Sequence, residues 1–144
     1  MNNINYQRVL DKILNNIGNN TKKLLLHSCC APCSSYVLKY LTEYFDITVL
    51  YYNPNITDSD EYEKRKSEQI RLINEMPKVH NINILDTEHD KSEFYKIAKG
   101  LENCPECSER CLKCYRLRLE KAAEIAKENG YDYFCTTLTI SPLK

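Results

Sequence analysis

The sequence predicts an α/β protein of three layers, with helices on both faces of a doubly wound, mostly parallel sheet. Three observations carry this. Short apolar or β-branched runs alternate with stretches of helical period, which is the pattern of parallel strands joined by crossover helices. The three glycines, Gly18, Gly100 and Gly130, each stand at the end of a helical stretch. A length of 144 residues suits one compact α/β domain, 1–144, opened by a helical segment over 1–20.

In chain order, Tyr6 to Ile17 places Val9, Leu10, Ile13, Leu14 and Ile17 at helical spacing, and Gly18 stops the helix. Lys23–His27 is a short apolar run that reads as a buried strand. A second helix runs from Pro32 through Val37, Leu38 and Leu41 to about Tyr44. Asp46–Tyr52 is β-branched and aromatic, hence a strand. Asp58 to Met76 is a charged helix capped by Thr57, Asp58 or Ser59. Asn81–Leu85 is a third strand, Ser92–Lys99 a helix before Gly100, Glu109–Asn129 a long helix before Gly130, and Tyr131–Leu138 a fourth strand.

Composition narrows the function classes. With 42% hydrophobic and 28% charged residues the chain is ordinary globular material rather than a disordered one. Twenty Lys and Arg balance twenty Asp and Glu, so attraction to nucleic acid requires a local basic face. The longest apolar runs fall far short of the ~18 residues that suggest a membrane span, and the polar start MNNINYQRVL has no signal-peptide core. A cytoplasmic protein is expected. Eight cysteines in a reducing compartment point to metal or redox chemistry rather than a disulfide framework.

In an open α/β sheet the ligand crevice lies beyond the carboxyl ends of the strands, where strand order reverses. The loop after the first strand is Ser28-Cys29-Cys30-Ala31-Pro32-Cys33. It sits at a helix N-terminus, whose free N–H groups and positive field favour thiolate over thiol. Cys111-x-x-Cys114 opens the long helix beside Arg110 and Lys113. The two groups supply four thiolates, the usual ligand set of a 4Fe-4S cluster or a zinc ion, and one surplus thiol. They are separated by 77 residues, 34 to 110, far beyond the ~15–20 of a zinc ribbon, so only the tertiary fold brings them together. Three readings stay open. Cys104, Cys107, Cys111 and Cys114 form a local run that can hold a metal alone. Cys30/Cys33 or Cys111/Cys114 can serve a thiol–disulfide oxidoreductase. A zinc-stabilised RNA-binding module needs no redox role at all. Cys135, inside the fourth strand, reads as a small core residue. Neither G-x-x-x-x-G-K-[ST] nor G-x-G-x-x-G occurs, which weighs against ATP or a dinucleotide in the first loop.

At His27-Ser28-Cys29-Cys30-Ala31-Pro32-Cys33, Tyr52-Asn53-Pro54-Asn55-Ile56, Arg110-Cys111-x-x-Cys114-Tyr115-x-x-Arg118-Leu119 and Thr136-Thr137-Leu138-Thr139-Ile140-Ser141-Pro142, the sequence resembles the epoxyqueuosine reductase QueH family. The resemblance runs from about Lys23 to Lys144. It implies a fold related to the adenine-nucleotide α-hydrolase-like (HUP-like) domains, without a nucleotide-binding loop. It also implies reductive removal of the epoxide oxygen of epoxyqueuosine at the tRNA wobble position, giving queuosine without cobalamin. Cys29, Cys30, Cys111 and Cys114 match the family's metal ligands, and Cys33 a further position of a centre described as a 4Fe-4S cluster beside a mononuclear iron. An external electron donor and a tRNA are the implied partners. Cys104-Pro105-Glu106-Cys107-Ser108 departs from the family's Pro-Glu-Gly-Gly-like stretch, and the family's C-terminal continuation is expected to be missing here.

Reductive epoxide opening needs electrons, protons and a group that takes up charge on the departing oxygen. His27, Tyr52 and Tyr115 are the candidate proton donors; His27 reads equally as a strand-end residue and the tyrosines as packing groups. Asn53 and Asn55 suit an unpaired base, which stacking and amide hydrogen bonds recognise. Arg110 and Arg118, with Lys64, Arg65, Lys66, Arg71, Lys113 and Arg116, are candidate phosphate contacts; a solvated helix face is the alternative for those within 58–76. Thr137, Thr139 and Ser141 offer hydroxyls to the modified base, or satisfy the backbone at a turn.

Overall fold

The computed structural model describes residues 3–140. Its elements are α1 (Tyr6–Ile17), β1 (Lys22–His27), α2 (Ala31–Leu41), β2 (Phe45–Leu50), α3 (Ser59–Glu75), β3 (Ile82–Leu85), α4 (Ser92–Ala98), α5 (Glu109–Glu128) and β4 (Tyr133–Thr136), followed by a 3-10 turn at Leu138–Ile140. The four strands are all parallel, in the order β3-β2-β1-β4.

Alternation along each strand sends side chains to two different layers. Leu24 and Leu26 of β1, Ile47 and Val49 of β2 and Ile82 of β3 face α1, α2 and α3, burying Leu14, Ile17, Leu38, Leu41 and Ile73. Leu25 and Leu50 point the other way, against Ala122 and Ala126 of α5. Alanine at these positions lets α5 lie close to the sheet. Helices thus cover both faces, the three-layer arrangement expected from the sequence.

Two strands are shorter than their composition suggests. Tyr51 and Tyr52 are good strand formers, yet β2 stops at Leu50 because its register partner, His27, is the last residue of β1. β4 pairs over Tyr133–Thr136, opposite Leu24–His27, and its carboxyl end likewise stops where β1 does. The second helix ends at Leu41, where Thr42 caps it and turns its hydroxyl to the His80 carbonyl at 3.0 Å. Of the three candidate caps of α3, Asp58 serves, accepting from the Glu61 N–H at 2.8 Å.

The chain steps from β1 to β2 to β3 in one direction, then returns to place β4 on the far side of β1. Strand order therefore reverses between β1 and β4. The loops leaving those two strands, from Ser28 and from Thr137, border the crevice.

Candidate metal centre

The cysteine loop is fixed from several sides. Ser28 N–H donates to the Leu50 carbonyl (3.0 Å), and Asn53 Nδ2 donates to the Ser28 carbonyl (2.9 Å). From α3, the buried Gln69 brings Oε1 to 2.6 Å from Ser28 Oγ and 3.1 Å from Ser34 Oγ, one hydroxyl before the cysteines and one after. Cys29 N–H donates to Thr137 Oγ1 (3.2 Å), whose own hydroxyl donates to Cys29 Sγ (3.4 Å). Pro32, lacking an N–H, sits in the first turn of α2, where none is needed. The outcome is a tight trio: the sulfurs of Cys29, Cys30 and Cys33 all lie within 4.8 Å of one another.

That crowding outweighs the helix field. The Cys33 thiol is pushed up to about 12, first by its hydrogen bond with Cys30, then by burial and by the neighbouring sulfurs. Three sulfurs this close resist joint deprotonation, and a multivalent cation removes that resistance. The donor set fits a thiophilic metal such as iron.

The second pair arrives on α5. Cys111, Cys114, Tyr115 and Arg118 follow helical spacing and, with Cys29, Cys30, Asn53, Asn55 and Arg110, line one cavity of about 560 Å³. Burial raises the Cys114 thiol pKa, and the adjacent Arg118 guanidinium opposes the rise. Two cysteine groups distant in sequence therefore face a single space at the switch point of the sheet.

A model of the family described as epoxyqueuosine reductase QueH matches residues 24–144. The chain belongs to this family. Epoxyqueuosine reductase QueH of Staphylococcus epidermidis is 42% identical over 98% of this chain and 62% of its own length. Its namesake from Streptococcus pyogenes is 40% identical over 98% and 57%, respectively. The one from Acinetobacter baylyi is 43% identical over 89% and 57%. The chain spans about three-fifths of the length of these QueH relatives.

The remaining candidates of this QueH-family chain fall into distinct places. His27 is fully buried, with Nε2 2.8 Å from the Tyr52 carbonyl and Nδ1 3.0 Å from Thr136 Oγ1. A carbonyl only accepts, so Nε2 carries the proton and Nδ1 accepts from the threonine hydroxyl. Tyr52 packs against Leu25 and Ala122, and burial raises its phenol pKa. Tyr115 alone of the three lines the cavity, half-buried, its phenol also raised by burial. Thr137 is buried against Cys29, Thr139 is exposed on the 3-10 turn, and Ser141 lies outside the described residues.

Among the described residues, the trio of Cys29, Cys30 and Cys33 is the one set of three or more candidate ligands drawn together, so the local run from Cys104 to Cys114 is not gathered. Cys107 nonetheless lines the cavity, with a positive φ of 60° that side chains rarely adopt. Cys135 pairs with Leu26 and packs against the sheet core, as expected of a structural cysteine. None of the eight cysteines is in a disulfide. Half of the eight candidate phosphate contacts are engaged in ion pairs along their own helices: Arg65 with Glu61, Arg71 with Glu68, Lys113 with Glu109 and Arg116 with Glu120. Such exposed pairs are the solvated-face alternative, though Arg65 also lines the cavity. Among the described residues no helix is long and apolar enough to cross a membrane. Sequence reasoning missed Gln69, Ser34 and Thr136, polar residues whose roles depend on tertiary neighbours.

Proposed function

We propose that this chain carries out the two-electron reductive deoxygenation of epoxyqueuosine at the tRNA wobble position, giving queuosine. The observation that carries the reading is the convergence of Cys29 and Cys30 with Cys111 and Cys114 on one cavity, with Cys33 drawn into a tight trio with the first two, in a chain of the QueH family. These five cysteines would hold a 4Fe-4S cluster and a further iron, which supply single electrons and Lewis acidity toward the epoxide oxygen.

The protein's own groups do the rest. Two electrons and two protons convert an epoxide to an alkene and water, so a proton donor must face the cavity. Tyr115 has that position, and its raised pKa keeps the phenol protonated at neutral pH. His27 holds the Tyr52 carbonyl and with it the start of the loop that carries Asn53 and Asn55. Asn53 is committed to Ser28 and Arg118, whereas Asn55 Oδ1 is buried without a protein partner among the described residues, and so offers an acceptor to the modified base. Arg65 and Arg110 at the cavity receive the RNA backbone, and the exposed Thr139 offers a hydroxyl after β4. Electrons come from an external donor, in a cytoplasm that keeps the thiols reduced.

Anaerobically purified protein is expected to be brown, with iron, acid-labile sulfide and broad absorption near ~400 nm. Mixed with epoxyqueuosine-containing tRNA and a reductant, it should remove one oxygen from the base, followed by mass spectrometry of the nucleosides. Stoichiometric zinc without sulfide, or colourless protein with two reactive thiols, would point to the other readings.

A further inference from the structure

We propose that Arg118 is the built-in counter-charge of the thiolate centre, and that this, rather than a phosphate contact, is why the protein buries it. The inference rests on the metal-centre reading above. Arg118 is 4% exposed, yet among the described residues no carboxylate forms an ion pair with it. Its oxygen partners are neutral, Nε donating to the Cys114 carbonyl at 3.4 Å and Nη1 to Asn53 Oδ1 at 3.3 Å, and its side chain also hydrogen-bonds the Cys114 thiol. The guanidinium carbon lies 5.4 Å from the Tyr115 ring centroid.

A permanently charged group buried with only neutral acceptors is costly unless an anion compensates it. The anion must be in the cavity, because that is the space Arg118 lines. Two classes qualify by chemistry, an RNA phosphate and metal-bound thiolates. Three features favour the thiolates. Arg118 sits one helical turn after Cys114 and bonds to its carbonyl. Through Asn53 it joins the same network that holds the Ser28 end of the cysteine loop. Its burial leaves little room for a solvated phosphate backbone, whereas the half-exposed Arg65 is placed for one. Arg118 is therefore a positioning residue that links both cysteine groups and offsets their summed negative charge.

This assignment has a signature that neither simple structural packing nor phosphate binding produces, a change of sign between two forms of the protein. Arg118→Met replaces the charge by an apolar chain of similar length. In metal-free protein the substitution removes an uncompensated buried charge, so the melting temperature should stay equal or rise. In iron-loaded protein it removes the counter-charge, so iron affinity should fall by about tenfold or more and the melting temperature should drop. Removing positive charge also disfavours the reduced centre; a tenfold change in its reduction equilibrium is a fall of about 59 mV for one electron. Arg118→Lys keeps the charge and should load iron more nearly as the wild type does. Equal iron loading and the same sign of melting shift in both forms, with weakened tRNA binding, would overturn the inference in favour of a phosphate contact. A metal-free Arg118→Met protein that fails to fold would overturn it too. Wild-type protein that takes up no iron would remove the metal-centre reading itself, an outcome visible before any variant is made.

Discussion

At Gln69 a single amide organises the cysteine loop. Its Oε1 receives the hydroxyls of Ser28 and Ser34, which bracket the cysteines, while it is itself fully buried within an otherwise charged helix. Gln69→Leu keeps the volume and removes the acceptor, leaving the two buried hydroxyls only the Cys30 and Ala31 carbonyls. The expected cost is about 0.5–1.5 kcal/mol in chemical denaturation, with lower iron occupancy because the trio loses its geometry; unchanged iron loading would show that the loop holds itself. The cysteines give a sharper contrast. Cys29→Ala and Cys114→Ala should abolish both brown colour and epoxide reduction, whereas Cys135→Ala should leave iron content nearly unchanged. Substantial iron loss on Cys135→Ala would show that the ligand set is wrongly drawn. Thr137, whose hydroxyl donates to Cys29 Sγ, stands between these cases. Thr137→Val should retain iron while shifting the redox potential downward, since the sulfur loses a hydrogen bond that favours added electron density.

Among the elements, the sequence made the type of each strand and helix legible and misplaced their ends for a common reason. Periodicity reports which face of a segment is buried, but a strand ends where its neighbour stops pairing. Tyr51 and Tyr52 leave the ladder because β1 ends opposite Leu50, and β4 stops at Thr136 because that residue pairs with the last one of β1. Cysteine spacing showed that two groups must meet, and the switch-point rule located the meeting. It could not show Gln69, because a glutamine in a charged helix looks solvated until the helix is docked. β4 supports a prediction of its own. Burial alone lifts the Cys135 thiol from 9.0 to about 12. A thiol raised in the folded state stays protonated there while the unfolded chain ionises. Its contribution to stability is complete below pH 9 and declines as pH rises from there to about 12, by up to ~1.4 kcal/mol per pH unit. The difference in unfolding free energy between wild type and Cys135→Ala, measured in metal-free protein, should therefore shrink above pH 9. A difference independent of pH would mean that the thiol is solvated in the native state.

For the molecule as a whole, the two faces of the sheet are unequally secured. Among the described residues, the face covered by α1, α2 and α3 carries eleven buried apolar residues, and the face covered by α5 only five, two of them alanines. At Cys111 and Cys114 α5 also faces the cavity lined by the loop that leaves β1, so a metal shared by the two groups would fasten the weaker layer to the stronger one across the sheet's switch point. Metal binding to the folded form alone stabilises it by about 4 kcal/mol at a thousandfold excess over the dissociation constant. The unequal layers determine where that stabilisation is felt. Stripping iron with a chelator should lower the melting temperature, and hydrogen exchange should accelerate mainly in Leu101–Arg118 and in the loop at Ser28–Cys33. The paired core of β1 and β2 should change little, because its protection comes from the larger cluster. Uniform acceleration throughout the chain would indicate that metal holds the entire fold, and no change at Leu101–Arg118 would separate α5 from the centre altogether.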